Sequence, residues 1–262
     1  MFVVADDTAL TTADKTAGRR GLSGVQLVLK IAGAMSEQGK SIDEILEVLN
    51  TKVGPNLGTI GLSLGPCILP GRTTASFELG ADEMELGLGI HGEAGVRRIK
   101  VASAKESVKA MLSHMTNPKS ATHLALKQGD FVAVLLNNLG SISCLEMGVI
   151  ANEVMTQLED NLKVSVRRFY SGSFLTSLEM PGFSISILRL TQSNIVDFLD
   201  AETACGGWSG QSCPRPLTGK RAKVSDPTAN LQEKISGGPQ IDKQGQEAIL
   251  KAVTFACEVS CL

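Results

Sequence analysis

Phe131-Val132-Ala133-Val134-Leu135-Leu136 runs straight into Asn137-Asn138-Leu139-Gly140. A continuous apolar run of this length, closed by a turn signal, predicts a strand covered on both faces, hence a sheet layered between helices. The periodicity on either side is helical. Upstream, Ser103-Ala104-Lys105-Glu106 forms a capping box ahead of Val108, Met111, Leu112 and Met115, and that helix must stop before Asn117-Pro118. Downstream, Met147, Ile150, Val154 and Leu158 mark one face of a long helix.

Further out the alternation continues. Gly58 to Leu64, Lys163 to Arg168 and Phe183 to Leu190 read as strands. In the last, Phe183, Ile185 and Ile187 alternate with Ser184 and Ser186, which predicts a more polar second face. Leu22, Val25, Leu29 and Ala32 form the stripe of a helix ending near Gly39. A second capping box, Ser41-Ile42-Asp43-Glu44, opens a helix with Ile42, Ile45, Leu46 and Leu49 inward. Phe2 to Val4 reads as a buried strand ending at Asp6-Asp7, and Ser193 as the cap of a short helix ending at Leu199. The expected class is α/β, with mixed, partly parallel sheets and flanking helices, over residues 1–203. Residues 204–244, rich in Gly, Ser, Pro, Gln and Lys, read as a flexible linker. Residues 245–262, with Ala248, Ile249, Val253 and Ala256, read as the first helix of a further, nucleotide-binding domain.

The 262 residues carry 25 basic and 27 acidic side chains and a single Trp and Tyr. That balance lacks the basic footprint and the aromatic platform of a nucleic-acid binder, so no nucleic-acid partner is expected. The longest uncharged stretch, Val53 to Gly71, is broken by Pro55, Pro66 and Pro70, whereas a membrane span needs ~20 mostly apolar residues. With no basic segment ahead of an apolar one at the N-terminus, and with six scattered cysteines, a cytoplasmic chain without membrane contact is expected.

The most unusual segment is Glu85-Leu86-Gly87-Leu88-Gly89-Ile90-His91-Gly92-Glu93-Ala94-Gly95. Its glycines match G-x-G-x-x-G, but a dinucleotide fingerprint opens a helix, and Glu93 to Arg98 offers no amphipathic start. The glycines instead strip bulk from both sides of His91. Its imidazole can then serve as nucleophile, general base or metal ligand, or be a hydrogen-bonded histidine in a structural turn. His114 near a helix end and His123 in a polar loop make no close-spaced pair, so no metal site is expected.

Gly87 to Glu93, preceded by Phe77-Glu78-Leu79 and Asp82-Glu83-Met84-Glu85, resembles the signature of the dihydroxyacetone kinase family. The resemblance extends to Ala17-Gly18-Arg19-Arg20-Gly21, to Asn137-Asn138-Leu139-Gly140 and to Ser177 through Ser184, covering roughly residues 2 to 202. Ala94 and His114-Met115-Thr116-Asn117 make it more similar to the animal members. The resemblance implies that His91 holds dihydroxyacetone as a covalent hemiaminal for phosphorylation by ATP with magnesium, with Gly89, Gly92 and Glu93 at the substrate. It also implies a homodimer, with glyceraldehyde as a further substrate. The family's general-base aspartate lies in a Tyr-Thr-Gly-Asp type segment, and its ATP sits in a helical barrel with clustered aspartates. Neither feature occurs in this sequence, so the chain is expected to be a truncated form that binds neither ATP nor magnesium by itself. A non-catalytic binding or regulatory module is the alternative.

Overall fold

The computed structural model describes residues 1–10, 19–72, 74, 75 and 77–208. The chain divides into Met1–Thr218 and Gly219–Leu262, and every described residue belongs to the first unit. The expected linker beyond residue 208 and the expected helix at 245–262 lie outside the described residues.

In chain order the described residues form α1 (Val25–Glu37), α2 (Ile42–Val48), β1 (Leu57–Ser63), β2 (Glu83–Leu86), β3 (Arg97–Lys100) and α3 (Ala104–Met115). Then follow β4 (Phe131–Asn138), α4 (Cys144–Thr156), β5 (Ser165–Gly172), β6 (Gly182–Arg189) and α5 (Asn194–Asp200). Ser41, Ser103 and Ser143 start α2, α3 and α4 alike. Each hydroxyl accepts the N–H of a glutamate three residues on, whose carboxylate accepts the serine N–H in return. The box at Ser143-Cys144-Leu145-Glu146 adds to the two expected. Each cap stabilises its helix by about 1 kcal/mol.

The strands form one sheet in the order β3-β2-β1-β6-β4-β5, in which only β4 and β5 run parallel. Val132 to Leu136 are buried on both faces, as the apolar run predicts. Val132, Val134 and Leu136 meet Val108, Met111, Met147 and Val154 of α3 and α4. Ala133 and Leu135 meet Leu27, Ile31, Phe198 and Leu199 of α1 and α5. Each such fully buried large aliphatic side chain is worth roughly 1.5–3 kcal/mol. The ring of Trp208 lies 4.8 Å from that of Tyr170 and 5.6 Å from that of Phe174, so packed residues extend to position 208.

The more polar face expected of β6 is present: Ser184 and Ser186 are buried, Ser23 Oγ reaches them at 2.9 and 2.8 Å, and Thr59 Oγ1 reaches Ser186 at 2.7 Å. A layer of hydroxyls satisfies itself inside the sheet. Several local expectations are corrected. Phe2 to Val4 form no strand; the segment pairs with β1 only at Asp7 opposite Thr59. Ile42 is 72% exposed and is not part of an inner face, because the first turn of α2 precedes its packing against the core. Lys163 adopts φ 56°, which ends the preceding turn and moves the start of β5 to Ser165. Ser193 makes no side-chain cap bond. Strands β2 and β3 were not expected, being four residues each and half or more charged.

Candidate functional site: a histidine on a glycine hairpin

The glycine-rich segment joins β2 to β3, whose antiparallel register sets Leu86 opposite Arg97. It therefore turns a hairpin and opens no helix, which removes the dinucleotide reading on structural grounds. Gly87 N–H donates to the Gly61 carbonyl at 2.7 Å, and Val96 N–H returns to the Leu86 carbonyl at 2.9 Å. Gly87 needs its lack of a side chain twice over: its φ is 78°, and a Cβ would sit 2.5 Å from the Cβ of Ala9. At Gly89 a Cβ would meet the carboxyl carbon of Glu93 at 2.5 Å. Gly92 is buried, with φ 88°.

These constraints hold His91 outward. Its side chain is 79% exposed, while its backbone N–H donates to Glu93 Oε2 at 2.8 Å and Nδ1 stands 3.6 Å from Glu93 Oε1. The expected site residues Gly89, His91, Gly92 and Glu93 thus form one turn, closed by Gly89 N–H on the Glu93 carbonyl at 3.3 Å. Burial opposes charge on Glu93. It is outweighed by the backbone N–H groups of Glu93 and His91 and by the positive charges of His91 and Arg20, so the carboxyl lies below the ordinary glutamate range. In the neutral form of the ring, an ionised Glu93 facing Nδ1 favours the tautomer with the proton there, which places the lone pair on Nε2.

The turn is anchored from behind by segments far apart in sequence. Ser177 Oγ donates to the Ile90 carbonyl at 2.7 Å, and Leu88 packs with Cys67, Leu139 and Met180. Asn137 carries the Phe174–Leu175 backbone on its amide: Oδ1 accepts both N–H groups at 2.9 and 2.8 Å, and Nδ2 donates to the Leu175 carbonyl at 2.7 Å. Arg20 Nη2 donates to the Gly87 carbonyl at 2.7 Å. The motif segments around Arg20, Asn137 and Ser177 therefore converge on the hairpin. His114 and His123 do not: their ring nitrogens bond the carbonyls of Ala9 at 3.0 Å and Ser120 at 2.6 Å. Sequence reasoning gave no role to Glu85, which accepts Gly95 N–H at 2.8 Å; its position in an alternating Glu-Met-Glu-Leu stretch is the available signal.

Among the described residues no group of three or more His, Cys, Asp or Glu side chains stands together to hold a metal ion. An apolar cavity of about 350 Å³ between α3, α4 and β1, lined by Leu62, Met84, Val101, Leu145 and Val149, is separate from His91.

The described residues form an α/β layer that presents an exposed imidazole on a glycine-rich hairpin. The Dak1 domain model matches residues 1–206, and the chain belongs to this family of dihydroxyacetone kinase domains. It is 45% identical over 225 residues to triokinase/FMN cyclase of Homo sapiens, covering 86% of this chain and 38% of the relative. It is 39% identical over 207 residues to the dihydroxyacetone-binding subunit DhaK of a PTS-dependent dihydroxyacetone kinase from Listeria innocua, covering 79% and 61%. The solved dihydroxyacetone kinase of C. freundii superposes with a TM-score of 0.70 at 27% identity, over 92% of this chain and 40% of that one. The dihydroxyacetone kinase operon co-activator Dha-DhaQ gives 0.68 at 29%, over 79% and 62%. The chain spans about two fifths of the length of its animal relatives.

Proposed function

We propose that this chain is the ligand-anchoring part of a dihydroxyacetone kinase, and that His91 binds dihydroxyacetone covalently. The observation that carries the reading is the exposed imidazole whose Nδ1 faces the Glu93 carboxylate at 3.6 Å. In the proposed step the Nε2 lone pair bonds to the ketone carbon and the carbonyl π pair moves to oxygen. The Nδ1 proton leaves toward Glu93 or solvent, the alkoxide gains a proton, and a neutral hemiaminal results. A ketone tethered in this way loses its translational freedom before any phosphoryl transfer. Glycerol, which has no carbonyl, is rejected, while glyceraldehyde is accepted in principle. In this reading the substrate-side turn is shaped by Gly89, whose missing side chain makes room for the Glu93 carboxylate, and by Gly92, whose positive φ closes the turn, and Glu93 acts beneath the ring.

Phosphorylation by ATP with magnesium belongs, in this reading, to a nucleotide-bearing unit acting on the anchored ligand. A related C. freundii kinase has been solved with AMP-PNP and Mg2+. We assign the chain to the cytoplasm, where Cys67, Cys144 and Cys205 stay as free thiols, and to a homodimer. No helix among the described residues is long and apolar enough to cross a membrane.

The test is calorimetric titration of the 262-residue chain with dihydroxyacetone and with glycerol, for wild type and His91→Ala. Binding of the ketone alone, lost in the variant, supports the reading; equal binding of both ligands contradicts it. A regulatory reading is favoured by the likeness to the Dha-DhaQ co-activator. It predicts the same binding, but no dihydroxyacetone phosphate when the nucleotide unit of a relative is supplied with ATP and magnesium.

A further inference from the structure

The segment carrying Asp6 and Asp7 lies behind the hairpin, and one side chain joins the two. Arg20 donates through Nε to Asp7 Oδ2 at 2.6 Å and through Nη2 to the Gly87 carbonyl at 2.7 Å. The carboxylate it grips is itself fixed. Asp7 is fully buried, its other oxygen accepts Ala9 N–H at 2.8 Å, and its carbonyl accepts Arg19 Nε at 3.0 Å. Gly87 is where the chain leaves the sheet for the loop. It is closed in on one side by Ala9 and held on the other by a charge-assisted hydrogen bond. The same guanidinium is the smallest of the influences that lower the Glu93 carboxyl at the far end of the turn.

From this geometry we infer that Arg20 is a positioning residue for His91. Its guanidinium ties the departure point of the loop at Gly87 to the buried Asp7, so that the turn holds the His91 backbone and ring beside the Glu93 carboxylate. The inference rests on His91 being the anchor and deepens that reading with a residue bonded to the loop rather than to the imidazole. The competing account is an arginine that only stabilises the fold through Asp7. Lysine separates the two: it keeps a cation for Asp7, but its point charge lacks the planar fork that serves two acceptors at once.

The experiment compares the 262-residue wild type with Arg20→Lys and Arg20→Met by thermal unfolding, carbon-13 NMR titration of the Glu93 carboxyl, and dihydroxyacetone affinity. Arg20→Lys is expected to melt as wild type does while binding dihydroxyacetone at least tenfold more weakly. Arg20→Met is expected, in addition, to move the Glu93 titration upward. Affinities equal to wild type in both variants, or losses that merely track the unfolded fraction, overturn the inference. If the wild type binds no dihydroxyacetone, the anchor reading fails, and the arginine is judged on the spectra alone. Unchanged Glu93 and His91 amide resonances in Arg20→Met then overturn it, and displaced ones uphold it.

Discussion

Glu85 accepts the backbone N–H of Gly95 at 2.8 Å across the neck of the hairpin that carries His91. Its other carboxylate oxygen is buried without a hydrogen bond and meets Arg98 Nε at 3.4 Å. Glu85→Ala leaves the Gly95 N–H without its acceptor and should cost ~1–3 kcal/mol, whereas Glu85→Gln keeps that acceptor and should cost less. Urea unfolding midpoints decide this. An alanine variant within ~0.5 kcal/mol of wild type would show that the neck bond contributes little.

Asp6 sits at the head of the buried hydroxyl layer. It accepts the N–H groups of Leu22 and Gly24 at 2.6 and 2.9 Å and meets Thr59 Oγ1 at 2.5 Å. Burial pushes its carboxyl up, against the lowering effects of the Thr59 hydroxyl and those N–H groups. The folded state therefore holds the proton more tightly than the unfolded chain. Stability is greatest below the ordinary aspartate range and declines as pH rises through the raised folded value. Asp6→Asn removes that decline, so the gap between the two proteins in thermal unfolding should change in favour of the variant between pH 4 and pH 7. A pH-independent gap contradicts the assignment.

Glu93 has the opposite sign, its carboxyl being depressed, so its contribution is present at neutral pH and is lost as pH falls through the folded value. Its side chain is nearly half exposed, and Glu93→Gln should change stability by no more than ~1 kcal/mol. Dihydroxyacetone affinity at pH 7.5 should nevertheless fall, because the amide no longer draws the Nδ1 proton. Unaltered affinity would separate Glu93 from the anchoring step.

Arg168 of β5 reaches the carboxylate of Asp200, the last residue of α5, through Nε at 2.6 Å and through Nη2. The Arg168 side chain is only 8% exposed, so Asp200→Ala takes the carboxylate away from a buried charge and should cost ~3–5 kcal/mol. The solvent-exposed Lys40–Glu44 pair serves as the control, and Lys40→Ala should cost less than ~1 kcal/mol. Comparable losses at the two sites would refute the distinction.

The parts of this fold that were legible in the sequence are those with a period. β4 shows as an apolar run, and α3 and α4 show through their inward stripes. β2 and β3 have no such signal: each has four residues, and their glutamates and arginines read as loop until paired across the sheet. Ser184 and Ser186 show in the sequence as a more polar face, but alternation does not show that this face is buried on hydroxyl partners from Ser23 and Thr59. At the site, His91 stands out through its glycines, while the bond from Arg20 to Gly87 spans 67 positions and leaves no local trace.

The most direct test of the anchoring role of His91 is carbon-13 NMR with dihydroxyacetone labelled at the carbonyl carbon. The wild-type chain should give a protein-bound tetrahedral-carbon signal, distinct from the hydrate of the free ligand and absent in His91→Ala. No bound tetrahedral signal with wild type, or the same signal persisting in His91→Ala, would contradict the account.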